Sequence, residues 1–225
     1  MILNAPVSAV IFDFDGVLAD TEALHCAAYQ AVLADIGIQL SPAEYFEHFL
    51  GLPDRECLTA VCVREGQTPD PADIETLLAC KRACFAQLAQ SAALYPGVAA
   101  VLRRLHQHFA LAIASGAFRD EIETILERTG VRQLFAVVVG ADDVRKGKPA
   151  PDPFLEALRA LNRRGARLSA AECVAIEDSP RGVAAAHAAG MRCIAVTTSH
   201  ERSALAAADA IIEQVTELRP EDLGA

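Results

Sequence analysis

Several things are missing from this sequence, and each absence removes a class of function. No basic patch interrupts an acidic chain of formal charge −10, so nucleic acid is not an expected partner. No uninterrupted apolar run reaches membrane-spanning length. The N-terminus has no basic n-region and meets Asp13 too early for a signal peptide, so a cytoplasmic location is expected. None of the seven cysteines forms a C-x-x-C, and their number is odd. That speaks against a zinc site or a disulfide framework and for reduced thiols. No G-x-G-x-x-G follows an apolar run, so a dinucleotide site is not indicated. There is no internal repeat and no low-complexity segment.

What remains is an ordinary globular composition, 52% hydrophobic and 22% charged over 225 residues. That length suits one sizeable domain or a core with an insert. The chain is organised around Val10 to Val17, where an apolar run, Val7 to Phe12 broken only by Ser8, ends in Asp13-Phe14-Asp15-Gly16. The run reads as a buried strand. Open α/β sheets place their ligands at the carboxyl ends of strands, which is where the two Asp fall. Two adjacent carboxylates repel unless a cation or a proton lies between them. A magnesium site and a nucleophile–acid pair both need that arrangement. A turn is the plain alternative, since Asp and Gly are turn formers. A calcium loop fails, because its twelfth position, counted from Asp13, is Leu24.

After Asp20 the pattern turns helical. Thr21 is placed to cap a helix ending near Gly37. Helical signals continue over Pro42 to Leu50, Asp54 to Arg64 and Pro71 to Gln90, with no strand between them. Beyond Tyr95-Pro96-Gly97, strands and helices alternate. Strands are expected at Phe109 to Ala114, Phe135 to Val139, Cys173 to Ile176, Cys193 to Val196 and Ala210 to Ile212. Between them lie helices, one starting at Asp152 as cap with Pro153 behind it, another opened by Ser179-Pro180. Alternation of this kind predicts an α/β fold: a doubly wound, parallel, Rossmann-like sheet. A small all-helical domain is inserted after its first strand. The expected division is 1–17 with 95–225 for the core and 18–94 for the insert.

Polar residues then cluster at strand ends on one sheet edge: Asp13 and Asp15, Ser115 with Gly116, Lys148 in the loop after its strand, and Glu177 with Asp178. This set suits phosphate chemistry. Asp13 attacks phosphorus, Asp15 serves as acid and base, Ser115 and nearby amides hold phosphoryl oxygens, Lys148 neutralises charge, and Asp178 helps hold Mg²⁺. Each also has a plainer reading. Ser115 before Gly116 reads equally as a turn, and Glu177 as a helix-start acid. In the insert, Arg55 is placed to grip a distal anion or is an ordinary surface arginine. Lys81 interrupts the stripe of Ile74, Leu77, Leu78, Phe85 and Leu88, and its plain reading is a snorkelling stripe-edge lysine. His25 falls in line with Tyr29, Val32 and Ile36, as a packed histidine would.

Taken together, the motifs resemble the haloacid dehalogenase superfamily in its phosphotransfer branch. Asp13-Phe14-Asp15-Gly16-Val17 looks like the first motif, Ser115 the second, Lys148-Pro149-Ala150-Pro151-Asp152 the third, and Glu177-Asp178-Ser179-Pro180-Arg181-Gly182 the fourth. The insert resembles the helical cap of the phosphoglycolate phosphatase and β-phosphoglucomutase subgroup. The resemblance implies that Asp13 becomes an aspartyl phosphate and that Mg²⁺ is the cofactor. Its ligands would be the Asp13 carboxylate, the Asp15 carbonyl and Asp178, with Glu177 at or near the metal. It also implies that Thr21, His25 and Lys81 stand where the mutases carry a Thr, a His and a Lys. Asp15 argues against carbon–halogen chemistry, because the dehalogenases lack that second Asp. The expected activity is a Mg²⁺-dependent phosphatase of a small phosphorylated metabolite, a sugar or organic-acid phosphate. The alternatives are a sugar-phosphate mutase and a non-catalytic phosphometabolite-binding protein. The expected oligomeric state is a monomer or weak homodimer.

Overall fold

The computed structural model describes residues 7–224. The chain divides into two compact units, Thr21–Ala92 and the remainder.

The larger unit is built on a six-stranded parallel sheet, an α/β Rossmann-like layer. Its strands are β1 (Ala9–Phe12), β2 (Ala110–Ala114), β3 (Phe135–Val139), β4 (Cys173–Glu177), β5 (Arg192–Val196) and β6 (Ala210–Ile212), in the order β3-β2-β1-β4-β5-β6. The strands are short apolar runs, and β1 and β4 are buried at every position. This is the pattern of a sheet covered on both faces. One face is formed by alternate residues, among them Ala9, Ile11, Ala112, Ala175 and Ala195. Small side chains there let helices come close. α7 (Asp152–Arg163) packs on β2 and β3, while α8 (Pro180–Ala188) packs on β4 and β5. α7 buries Phe154, Ala157 and Leu161, the i, i+3, i+7 face of a helix. Truncating Leu161 to Ala would cost about 2–5 kcal/mol. α5 (Val98–His106) packs on β2 and α6 (Arg119–Arg128) on β3.

The strand order reverses at β1, whose neighbours are β2 on one side and β4 on the other. The crevice at such a reversal is where open α/β sheets bind ligands. Register then decides which side chains meet. Phe12 pairs with both Ile113 and Ile176, and the Asp13 N–H donates to the Ile176 carbonyl at 2.9 Å. Asp13 and Glu177 therefore leave adjacent strands at the same level.

The smaller unit is helical. α1 (Glu22–Ala34) packs on α4 (Pro71–Leu88), which also packs on α3 (Asp54–Arg64). Its core gathers Tyr29, Leu33, Tyr45, Leu58 and Val61. α4 starts where Pro71 follows Asp70, whose carboxylate accepts from the Ala72 and Asp73 N–H groups at 2.7 and 2.9 Å. The helix expected over Pro42 to Leu50 is shorter and changes pitch. α2 (Pro42–Glu44) runs into a π-helical turn, Tyr45–Phe49, that buries Tyr45 and Phe49. Two expected caps also differ. Thr21 stands at the N-cap of α1 in helical backbone conformation without a side-chain cap bond. Asp152 is the first residue of α7 and Pro151 is the cap.

Candidate active site

β1 delivers Asp13 to the sheet edge. Its Oδ1 accepts from the Phe14 N–H at 2.7 Å and from the Lys148 ammonium at 3.0 Å. The chain then reverses through Phe14–Ala19. The Leu18 and Ala19 N–H groups donate to the Phe14 carbonyl, and the Gly16 N–H to the Ala19 carbonyl. Gly16 has φ +73°, and a Cβ there would collide with the Asp178 carboxylate. Only glycine allows both the backbone conformation and the approach. Asp15 lies half-buried within this turn.

β4 delivers Glu177 and Asp178. Glu177 is fully buried. One of its oxygens bonds the Lys148 ammonium. The other accepts from the Asp178 N–H at 3.0 Å, the Ser179 N–H at 3.2 Å and the Ser179 hydroxyl at 3.0 Å. A Cβ at Gly182 would occupy the space of the Glu177 carboxylate. Lys148 thus bridges Asp13 and Glu177, lies 5.2 Å from the Phe154 ring centre, and has its carbonyl held by Arg181 Nη2 at 2.8 Å.

Asp13, Glu177 and Asp178, all buried, offer ligand atoms within 4.8 Å of one another. Burial pushes the Asp13 carboxyl up to about 7; Lys148 opposes this, while Glu177 and Asp15 add to it. Burial also holds Asp178 well above the usual carboxylate range, reinforced by Glu177 and Asp13. For Lys148 burial pulls the other way, but Asp13 and Glu177 outweigh it and raise the ammonium above its ordinary value. With all four groups ionised, three carboxylates face one ammonium. Two negative charges stay unbalanced, a deficit that fits a divalent cation with oxygen ligands.

β2 places Ser115 on the same sheet edge. Its N–H donates to the Val139 carbonyl at 3.0 Å, and its hydroxyl accepts from the Ala117 N–H at 3.2 Å. Ser115 is 1% exposed, while Gly116 is exposed with open space where a Cβ would stand.

The remaining candidates belong to the helical unit. Lys81 is no stripe-edge lysine: it is 0% exposed. Its ammonium lies 3.0 and 2.8 Å from the two Asp54 carboxylate oxygens and 2.8 Å from His25 Nδ1. The Tyr29 hydroxyl donates to Asp54 at 2.6 Å, and His25 stacks on Phe85 with ring centres 4.1 Å apart. Thr21 is buried at the head of α1. Arg55 stands apart from that cluster, exposed and paired with Glu75.

Asp54 escaped sequence reasoning because an acid at the start of α3 looks like a dipole partner; only packing sets it against Lys81. Thr198, Ser199 and His200 escaped it too, although a signal was present. They are polar residues directly after an apolar strand, the same feature that singles out Ser115.

A parallel, doubly wound sheet with a buried acid cluster and a lysine at its carboxyl edge defines an α/β enzyme core. The family profile described as haloacid dehalogenase-like hydrolase matches residues 10–196, and the chain belongs to that family: it is a haloacid dehalogenase-like hydrolase. It is 30% identical over 218 residues to validoxylamine A 7'-phosphate phosphatase of Streptomyces hygroscopicus subsp. limoneus, covering 95% of this chain and 97% of that one. It is 34% identical over 230 residues to a probable pseudouridine-5'-phosphatase of Drosophila melanogaster, covering 97% and 94%. Among solved structures it resembles CbbY from Rhodobacter sphaeroides in complex with phosphate, at 29% identity and a TM-score of 0.82, covering 94% and 96%.

Proposed function

We propose that this hydrolase is a phosphatase of a small phosphorylated metabolite, a sugar or organic-acid phosphate, working through an aspartyl phosphate. One observation carries the reading. Asp13 sits buried at the carboxyl edge of the sheet, bridged by Lys148 to Glu177 and grouped with Asp178, in a centre with excess negative charge. The phosphatase names of relatives matched over nearly their whole length support it.

An Asp13 carboxylate oxygen attacks phosphorus. The phosphorus–oxygen bond to the leaving alcohol breaks, and Asp15 protonates the departing oxygen. Asp15 then takes a proton from water as that water attacks the aspartyl phosphate, releasing inorganic phosphate and restoring Asp13. Ser115 and the amides about Gly116 hold phosphoryl oxygens, and Lys148 offsets their charge. Mg²⁺ would be held by the Asp13 carboxylate, the Asp15 carbonyl and Asp178, with Glu177 at or near it. When bound it supplies the positive charge that lets an anionic carboxylate approach an anionic phosphate. Thr21, His25, Arg55 and Lys81 are assigned to substrate choice, so His25→Ala should change specificity or rate without stopping the chemistry.

The test is phosphate release from a panel of phosphorylated metabolites and an aryl phosphate, with Mg²⁺ and with chelator. Release that depends on Mg²⁺ supports the proposal. β-Glucose 1-phosphate with a trace of its 1,6-bisphosphate yielding glucose 6-phosphate much faster than free phosphate would make the enzyme a mutase. The His25–Lys81 pair keeps that second reading open, because the mutases carry the same residue types there, but phosphatases of the subgroup share some of them and the pair does not decide between the two. No turnover of any ester, with binding retained, would leave a phosphometabolite-binding protein.

A further inference from the structure

Beyond β5 the chain carries Thr198, Ser199 and His200, which none of the roles above uses. The tail of the strand is tied down first: the Thr197 N–H reaches the carbonyls of Ile212 and Glu213, at 3.2 Å each. The next three side chains all turn to the acid centre. The Thr198 hydroxyl donates to the Gly16 carbonyl. The Ser199 hydroxyl donates to Asp178 Oδ2. His200 Nδ1 lies 3.1 Å from the Asp178 carbonyl oxygen. A Cβ on Gly16 would strike both Asp178 and the Ser199 hydroxyl. The turn after β1 and the turn after β4, which carry the acids, are thus clasped by a third segment.

We propose that Ser199 is a positioning residue for Asp178. Its hydroxyl holds one carboxylate oxygen and so aims the other at a divalent cation shared with Asp13 and Glu177. Thr198 steadies the Gly16 carbonyl, one residue past Asp15, in the same way. The proposal rests on reading the acid cluster as a cation site. A short carboxylate side chain that must both leave the backbone and face a cation loses affinity if it rotates freely. A donor fixed on one oxygen removes that rotation and leaves the other oxygen's lone pairs free. Partners of this kind, hydrogen-bonded to a ligating carboxylate, typically change metal affinity about 10–100-fold when removed. A hydroxyl that merely satisfied a buried acceptor would change stability and leave metal affinity alone.

The experiment titrates Mn²⁺ into the full-length protein, reads free Mn²⁺ by electron paramagnetic resonance, and displaces it with Mg²⁺. Wild-type protein that binds no Mn²⁺ overturns the cation site itself, and the proposal with it. If the wild type binds, Ser199→Ala is expected to raise Kd about 10–100-fold, with the metal-free melting temperature and circular dichroism close to wild type. Ser199→Thr keeps the hydroxyl and should restore most of the affinity. Ser199→Cys, which weakens the donor, carries the measurement if the alanine variant does not fold. An unchanged Kd in Ser199→Ala, or Ser199→Thr as weak as Ser199→Ala, overturns the positioning role while leaving the cation site standing.

Discussion

Each of the two units buries a lysine, and the two lysines keep opposite company. In the helical unit Lys81 meets one carboxylate, Asp54, whose other partners are the Tyr29 hydroxyl and the field of His25. Charge there is balanced one against one, and the Lys81 and Tyr29 polar atoms are bonded within the unit. In the sheet unit Lys148 is shared between Asp13 and Glu177, with Asp178 alongside. That centre is short of positive charge, and burial and mutual repulsion push Asp13 and Asp178 upward. A fold does not need such a centre, since a buried unpaired charge is costly. The contrast separates a cluster whose charges balance within the protein from one that makes sense only with a cation and an anionic substrate.

The largest expected effect strikes the unbalanced centre. Asp13→Asn keeps the shape and removes the attacking charge, so phosphate release should fall by about 10⁴-fold or more. In chelator the same variant should melt no lower than wild type, because it relieves repulsion. Residual turnover near wild type, with contamination excluded, would remove Asp13 from its role.

Next comes the balanced cluster, where loss should appear as stability. Lys81→Met leaves the half-buried Asp54 without its cation and should cost up to about 3 kcal/mol, read as a lower urea midpoint. Adding Asp54→Leu should recover part of that loss, because contacting residues are not additive. If the double variant is as unstable as the sum of the singles, the cluster is not a mutually satisfied unit.

Cation binding should separate the two further. Mg²⁺ at about a hundred times its Kd should stabilise the protein by about 2.7 kcal/mol, visible as a higher melting temperature. Asp178→Ala should abolish that gain and Lys81→Met should not.

The smallest effect is in pH, with opposite signs. Burial alone would raise Asp54, but Lys81, His25 and its hydrogen bonds prevail and hold it below the ordinary 3.8. Its contribution to stability is therefore present above that pH and fades as pH falls through the lower folded value. Asp13 is raised from 3.8 to about 7. In chelator its contribution is greatest below the ordinary carboxylate value and is lost as pH rises toward and through the raised one. Urea midpoints across the acid-to-neutral range, for wild type against Asp54→Asn and Asp13→Asn, check both signs. The same slope in both variants would erase the distinction.

Much of the fold was legible beforehand for a physical reason. A parallel strand buried on both faces is a short apolar run, and the residues just beyond it at the carboxyl edge are polar. β3 and β6 have the expected bounds, and β1, β2, β4 and β5 differ only at their ends. Helix starts signalled by proline, as at Pro71, were legible for the same local reason. Less legible were features whose cause lies elsewhere in the chain. The π-helical turn at Tyr45–Phe49 accompanies the burial of two aromatic rings. The cap of α7 shifted by one residue, because Pro151 and Pro153 bracket its start.

The sequence by itself determined the alternation of strands and helices and the polar residues that end β1, β2 and β4. Those arise from local patterning and from the rule that parallel strands present their carboxyl ends together. Only the tertiary structure decided which charges are compensated. Lys81 and Asp54 are 27 positions apart, and Ser199 and Asp178 are 21 apart. No periodicity links such pairs. Whether a buried charge is satisfied depends on which side chains packing brings within hydrogen-bond reach, and that is set by the whole fold.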